Sequence, residues 1–384
     1  MKSSQVWLLS ILFAAGFLAA CGGPDDTENS GDSEFAEAIP SDEMLTLSVD
    51  GGAGGGQAGD TYATAEQGLE GQPSRVYEHL QATADRVNTA RLKTRQLIEA
   101  ILNANQARTD KVAGTDCKIW THETAEHEWQ LSSCVSDRAA KRYLYALRGR
   151  PLGSTAAADY KLVVGGWGAV LPRHNELKRG HGVVGYDFDN SFALLGEGPT
   201  GKMAVGYRAA GPFRQIVVGV RDFQPVGAAQ AYSALYNYKH AIGKGGHIRF
   251  IIDADMVSKD ASDVLVETLD GVNEVGRFNA AWSTAGKART SGIVCGGSLG
   301  DGVCITHHEC WDAGRTVTFF DLGGDAANPP QWDATGCPAD AELPVPVDGP
   351  PSEEDVTPPT ADGDAATPGP ALEPPAADPS LETL

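Results

Sequence analysis

The sequence predicts a mainly β protein: a curved antiparallel meander sheet, half-barrel or barrel-like, preceded by one long helix. Three observations carry that expectation. Apolar residues recur at helical spacing over residues 74–108, and from Cys117 onward the period falls to two. The later apolar runs are joined by short connectors such as Gly196-Glu197-Gly198-Pro199 and Gly243-Lys244-Gly245-Gly246. Such links suit antiparallel neighbours, because parallel crossovers need about a dozen residues or more. Finally, Val163-Val164-Gly165, Val183-Val184-Gly185, Ala204-Val205-Gly206 and Val217-Val218-Gly219 place a glycine after two apolar residues in four successive strands. Glycine weakens a strand, so its recurrence points to a geometric need, with the four glycines lining up to let the sheet curl around the helix.

In chain order, the first element is an export leader at residues 1–20. Val6 to Ala20 is an apolar run of 15 residues behind Lys2. That falls short of the ~20 needed to cross a bilayer. It ends at Leu18-Ala19-Ala20-Cys21, which resembles the lipobox of bacterial lipoproteins: Leu three places before the cysteine and a small residue just before it. The resemblance implies that Cys21 receives a diacylglyceryl group, that residues 1–20 are removed, and that the partner is a membrane reached through that lipid. Gly22 stands where inner-membrane lipoproteins of enteric bacteria carry Asp, which points to the outer membrane.

The chain carries a formal net charge of −21, unevenly spread. Residues 21–73 hold 12 Asp/Glu and no Lys/Arg, residues 338–384 hold 11 and none, and residues 74–337 hold 28 against 29. The polyanionic chain disfavours nucleic acid as a partner and repels anionic lipid headgroups, and its two ends read as solvated tails that hold the domain off the membrane. Residues 21–73 are expected to be a disordered acidic tether, within which Met44–Val49 alternates weakly enough to suggest an edge strand. Residues 338–384, rich in Pro, Ala, Asp and Glu, are expected to be a disordered tail.

Residues 74–111 are expected to hold the long amphipathic helix. Pro73 and Ser74 supply its start signal. Tyr77, Leu80, Ala84, Val87, Ile98 and Ile101 form its stripe, interrupted by Arg91 and Thr94. Packing onto its own sheet is the expected use of that stripe.

The β domain spans residues 112–337. A hairpin turning at Ala125-Glu126 sets Cys117 opposite Cys134, Trp120 opposite Leu131 and His122 opposite Trp129, and a Cys117–Cys134 disulfide crosses it. Further strands are expected through Thr316–Asp321, including Gly182–Phe192, where Tyr186 and Phe188 alternate with Asp187 and Asp189, and Val264–Leu269. Of seven cysteines, lipid on Cys21 leaves an even six for an oxidising compartment. Cys295, Cys304, Cys310 and Cys337 allow three connectivities, of which Cys295–Cys304 with Cys310–Cys337 is favoured. The layout of a long helix before a curved antiparallel sheet is similar to the half-barrel of periplasmic lipoprotein carriers, which implies an apolar ligand or an envelope protein as partner.

No motif for catalysis survives inspection. Gly296-Gly297-Ser298-Leu299-Gly300 matches the nucleophile elbow of serine hydrolases, but a strand rather than a helix follows, and Cys295 and Cys304 bracket it as a closed loop. Gly196 to Lys202 has the glycine spacing of a phosphate loop, yet Met203 stands where Ser or Thr must hold magnesium. His307-His308-Glu309 is the best ligand cluster, although adjacent strand residues face opposite ways and only one histidine could join a shared site. Asp187-Phe188-Asp189 and Asp253-Ala254-Asp255 lack the spacing of a calcium loop. No cofactor is implied. The expected function is a non-enzymatic envelope lipoprotein that binds a ligand or an envelope component. The alternatives are a hydrolase or metal-dependent enzyme using His307, His308 or Asp187, and a structural or surface-display lipoprotein.

Overall fold

Fourteen strands form one sheet in strict sequence order, every neighbouring pair antiparallel, from β1 (Arg108–Val112) to β14 (Val317–Gly323). The computed structural model describes residues 70–323 except 105–106, 113–114, 175–176, 211–212, 229, 242 and 258–270, together with 35, 39–40, 42–47, 336–345 and 347. The sheet is open, with β1 and β14 as its edges. β1 is five residues long and carries Arg108, Asp110 and Lys111, a short charged edge that resists pairing with another chain. The start of β14 is covered by residues just before the helix: Gly71 N donates to Val317 O at 2.8 Å, Val317 N to Gln72 O at 2.8 Å, and Pro73 bridges Thr316.

A meander sends alternate connections to opposite ends. The seven links that follow the odd-numbered strands, from the first to the thirteenth, span two to five residues, and their side is called the turn end. The opposite side, the loop end, carries longer links of up to 19 residues, between β10 (Gly245–Ala254) and β11 (Glu274–Trp282).

Helix α2 (Arg75–Ala104) lies against the inward face. Ser74 is its N-cap, the side-chain oxygen accepting from Tyr77 N at 3.0 Å. Tyr77 meets Trp311 of β13 (Cys304–Trp311) edge-on at 6.0 Å, while His79 stacks on Phe250 of β10 at 5.2 Å. Residues two apart on a helix point about 200° away from each other. That both find the same sheet face, three strands apart, means the sheet wraps around the helix. Val76, Leu80, Ala84, Val87, Ile98 and Ile101 are buried in one continuous core with the inward row Met203, Val205, Ile216, Val218, Phe250 and Phe278.

The polar interruption of the helix stripe has a use. Arg91 and Thr94 are buried, and Arg91 Nη2 donates to Asn88 Oδ1 at 2.8 Å. Asn88 in turn accepts from Leu47 N at 3.2 Å and donates to Leu47 O at 3.0 Å. The segment around Leu47, expected within the acidic tether, is therefore built into the core: Phe35, Met44, Leu45 and Leu47 are all buried. Where a strand over Met44–Val49 is suggested, the structure forms a helical turn, α1 (Asp42–Leu45). Leu343 and Val347, expected in the tail, pack on Ala281.

Two other elements differ from expectation. The helix ends at Ala104 rather than running to 111, because Arg108–Val112 pair with Thr115–Ile119 as β1. β6 (Leu177–Asp187) stops at Asp187, and Phe188–Leu195 form helix α3. Asp187 caps it by accepting from Asn190 N at 2.9 Å, and Gly196 ends it at φ 71°. The expected strand Val264–Leu269 lies outside the described residues.

The hairpin register is as expected, with Cys117 opposite Cys134, Trp120 opposite Leu131 and His122 opposite Trp129. Disulfides join Cys117–Cys134, Cys295–Cys304 and Cys310–Cys337. Three of the four repeat glycines share one cross-strand row, Gly165–Gly185–Ala204–Gly219, with Gly206 two residues along. The steric demand falls beside them. A Cβ at Gly166 would lie 2.0 Å from Val183 O, where the Tyr145 hydroxyl crosses to donate to that carbonyl at 3.1 Å. One at Gly182 would lie 2.2 Å from Trp167 O, under the Tyr207 hydroxyl. At Gly219 the nearest atom would be 3.7 Å away, an ordinary contact.

Candidate functional site

Strand β13 sorts the predicted cluster by alternation. Thr290 pairs Glu309, Gly292 pairs His307 and Ser291 pairs His308. His307 and Glu309 thus share the inward face and His308 takes the outward one, as adjacent strand residues must. Gly292 leaves room for the Phe278 ring, since a Cβ there would sit 2.3 Å from Phe278 Cδ1. That ring stacks on Phe250 at 4.9 Å and meets His307 edge-on at 6.0 Å, and Phe320 closes the other side of His307 at 5.4 Å.

Glu309 joins this cluster to the helix. One carboxylate oxygen accepts from the Ser74 hydroxyl, and the other lies 3.3 Å from His307 Nε2. Ser74, His307 and Glu309 are each 0 % exposed. A carboxylate at a helix N-terminus also complements the backbone dipole there. The neighbouring Glu78 is raised above its ordinary 4.5, first by burial and further by Glu309, against the pull of Arg75.

Serine, carboxylate and histidine meet here, but in the wrong order for nucleophilic catalysis. A serine nucleophile needs the imidazole between hydroxyl and carboxylate, to take the proton. Here the carboxylate sits in the middle, and the hydroxyl oxygen is already committed to Tyr77 N. The arrangement ties the helix start to β13 rather than activating Ser74.

On the outward face, β9 (Tyr232–Ala241) to β14 set Asn237, Arg249, Asn279, Ser291, His308 and Asp321 in one cross-strand row. Asn237, Asn279, Ser291 and His308 are buried. His247 Nε2 lies 2.7 Å from Asn279 Oδ1, and Gln215 donates to Asn237 at 3.2 Å. Burial, with His307 behind it, lowers His308 to about 4. Sequence reasoning missed this row, since its members lie on five hairpins and only the register assembles them.

The other candidates have structural partners. Asp187 caps α3 and lies 3.1 Å from Lys202 Nζ, and Asp189 accepts from Gly201 N at 2.7 Å. The phosphate-loop look-alike is thus a helix end leading into β7 (Thr200–Ala210). Asp253 accepts from Asn273, and Asp255 from Gly271 N. The Gly-Gly-Ser-Leu-Gly loop is a 3-10 turn held by Glu274, whose fully buried carboxylate accepts from Ser298 N at 2.7 Å and Met256 N at 2.9 Å. Glu274 was not singled out by the sequence. Its only signal is an acid beginning a strand, which does not distinguish it from a solvated one. Among the described residues no group of three or more His, Cys, Asp or Glu is placed to hold a metal. Cys21 lies outside the described residues.

Comparison with known proteins finds no matching family model, no matching curated protein and no matching solved structure. Among the described residues, no helix is long and apolar enough to cross a membrane, which says nothing of spans made by strands.

Proposed function

We propose that the protein is a bacterial envelope lipoprotein, held by lipid on Cys21 after removal of residues 1–20 and facing its compartment from the outer membrane. In this reading its domain acts through its exterior, as a non-enzymatic binder of an envelope component. The observation that supports exterior action is the filling of the inward face. Helix α2 and the stacked rings of His79, Tyr236, Phe250 and Phe278 stand where a half-barrel carrier would hold its apolar ligand. The inward cluster with catalytic residue types among the described residues, Ser74, His307 and Glu309, is sealed from solvent. The anchoring is supported by the leader and by the even number of cysteines left once Cys21 is set apart, all six now joined in pairs.

The test is Cys21→Ser in the full chain, with metabolic labelling by radioactive palmitate and fractionation of the expressing cells. Wild type is expected to carry label and sediment with membranes, and the variant to lose the label and the leader-processed membrane form. A wild type that takes no label, or a variant that still takes it, removes the anchor.

A further inference from the structure

A domain whose charges nearly cancel in sequence separates them in space. Among the described residues the turn end exposes Lys111, Arg138, Lys141, Arg208, Lys239, Lys244 and Lys287, against Glu70, Asp137, Asp340 and Glu342. Arg138 is paired with Asp116, and Lys287 faces Glu342. The loop end exposes Glu123, Glu126, Asp159, Glu197, Asp222 and Asp301, against Lys161 and Arg221. Antiparallel alternation does the sorting, since every second connection returns to the same end.

The basic residues concentrate on one corner. Arg208 of β7 pairs Gln215 of β8 (Phe213–Gln224), and Gln215 pairs Lys239 of β9. The three side chains therefore share one row on the outward face, across two strand spacings or about 10 Å. Phe213 stands on the same face at the tip of the β7–β8 hairpin and is 36 % exposed, and Lys244 lies in the adjoining β9–β10 turn. An exposed ring among cations is the composition of a surface that lies on a membrane interface.

The N-terminal segment enters at the same end. Phe35 packs edge-on against Tyr143, the second residue of β4 (Arg142–Pro151), and its carbonyl accepts from Ser133. The Met44 methyl lies beneath Gly180, near the start of β6. From Phe35 back to Cys21 is 14 residues. A lipid on Cys21 would accordingly hold the turn end, not the loop end, next to the bilayer.

We propose that the turn end of β7–β10, with Phe213 among Arg208, Lys239 and Lys244, is a docking surface for the anionic headgroups of the membrane that carries the anchor. The orientation rests on the lipid anchor proposed above; the basic surface does not. Each cation near an anionic bilayer contributes about fivefold in affinity, attenuated by salt over a Debye length of about 10 Å. The acidic residues 22–34, which join at this end, oppose that attraction or compete for the same cations.

The experiment uses the full chain carrying Cys21→Ser, so that lipid on the protein plays no part. Its sedimentation is measured with vesicles of mixed phosphatidylcholine and phosphatidylglycerol, and with phosphatidylcholine alone. Binding to the mixed vesicles only, weakening as salt rises, is expected. The pair Lys239→Glu with Lys244→Glu should lower that affinity about 30-fold or more, and Phe213→Ser should lower it while leaving the salt dependence. The loop-end pair Lys161→Glu with Arg221→Glu, of equal charge change, should leave it within about twofold. Near-UV circular dichroism checks that each variant keeps its packing. No binding to anionic vesicles, equal loss from both charge pairs, or cross-linking of Lys239 and Lys244 to residues 22–34 in place of lipid binding overturns the proposal. Failure of the anchor itself is read separately by palmitate labelling.

Discussion

His79 gives the wrapped helix a pH signature. Its ring stacks against both Tyr236 and Phe250, is 6 % exposed, and its Nε2 lies 3.4 Å from the Tyr236 hydroxyl. Burial first, and then the nearby Arg86, lower it from an ordinary 6.5 to about 3. A base lowered in this way stays neutral in the folded chain and is protonated in the unfolded one. Falling pH thus draws protons into the unfolded state, and stability is lost from about pH 6.5 down to about pH 3, where the folded state also takes its proton. The loss assigned to His79 is about 2 kcal/mol at pH 5 and about 3 kcal/mol at pH 4. Carboxylates titrate in the lower part of this window too, so the effect is read as a difference between wild type and His79→Phe, a ring that can keep both stacking contacts. Urea unfolding at pH 7, 5 and 4 should show the variant gaining on wild type by about those amounts as pH falls. Parallel pH profiles would refute a neutral His79 buried at the sheet–helix interface.

Two further perturbations separate steric demand from sequence repetition and weigh a buried carboxylate. Gly166→Ala should destabilise by several kcal/mol or prevent folding, because its Cβ would overlap Val183 O, whereas Gly219→Ala, with its nearest contact at 3.7 Å, should be neutral or gain about 0.5 kcal/mol from a less flexible unfolded chain; thermal midpoints of the two decide it. Glu274→Ala leaves the Ser298 and Met256 amides without their acceptor and should cost about 3–5 kcal/mol, with faster amide exchange at those two residues before global unfolding; unchanged exchange there would show that the carboxylate does not hold the loop.

What could be read from the sequence was local and periodic. The Cys117–Cys134 hairpin was legible because alternation fixes faces and a single turn fixes register, and its pairs stand opposite each other as expected. The start of α2 was legible from Ser74 and the apolar stripe behind it. Helix α3 was not, because Tyr186, Asp187, Phe188 and Asp189 alternate like a strand; the cap at Asp187 and the glycine at 196 were present, but eight residues hold too few turns to show a period of 3.6. The segment around α1 was hidden by its company. Phe35, Met44, Leu45 and Leu47 are four buried side chains in a stretch whose average composition is acidic and glycine-rich. Within His307-His308-Glu309 the split between faces followed from alternation. The partner of Glu309 did not, since Ser74 lies 235 residues away and only the wrapping of the sheet brings it there. Charge sorting was equally invisible, because near-neutrality over residues 74–337 averages over two ends that only the strand order defines.

Wrapping also decides between two uses of a curved sheet. For the inward face to receive an apolar ligand, helix α2 would have to leave it. Val76, Leu80, Val87, Ile98 and Ile101 are each at most 6 % exposed there. Re-exposing five such side chains costs about 8–15 kcal/mol at 1.5–3 kcal/mol apiece. That is the whole stability of an ordinary domain, before the Ser74–Glu309 bond and the Asn88 clamp on Leu47 are broken. A ligand entering by that route would have to supply most of the folding free energy itself. The helix is thus the permanent occupant of the curve, and recognition is left to the two ends and the outward face, where the charges are divided between the turn end and the loop end. Those loops also carry most of the exposed large apolar side chains of the described surface, among them Leu152, Phe192, Leu195 and Val226. Under the anchoring proposed above, that acidic rim with its apolar tips is the part turned away from the bilayer, and so the part offered to an envelope partner.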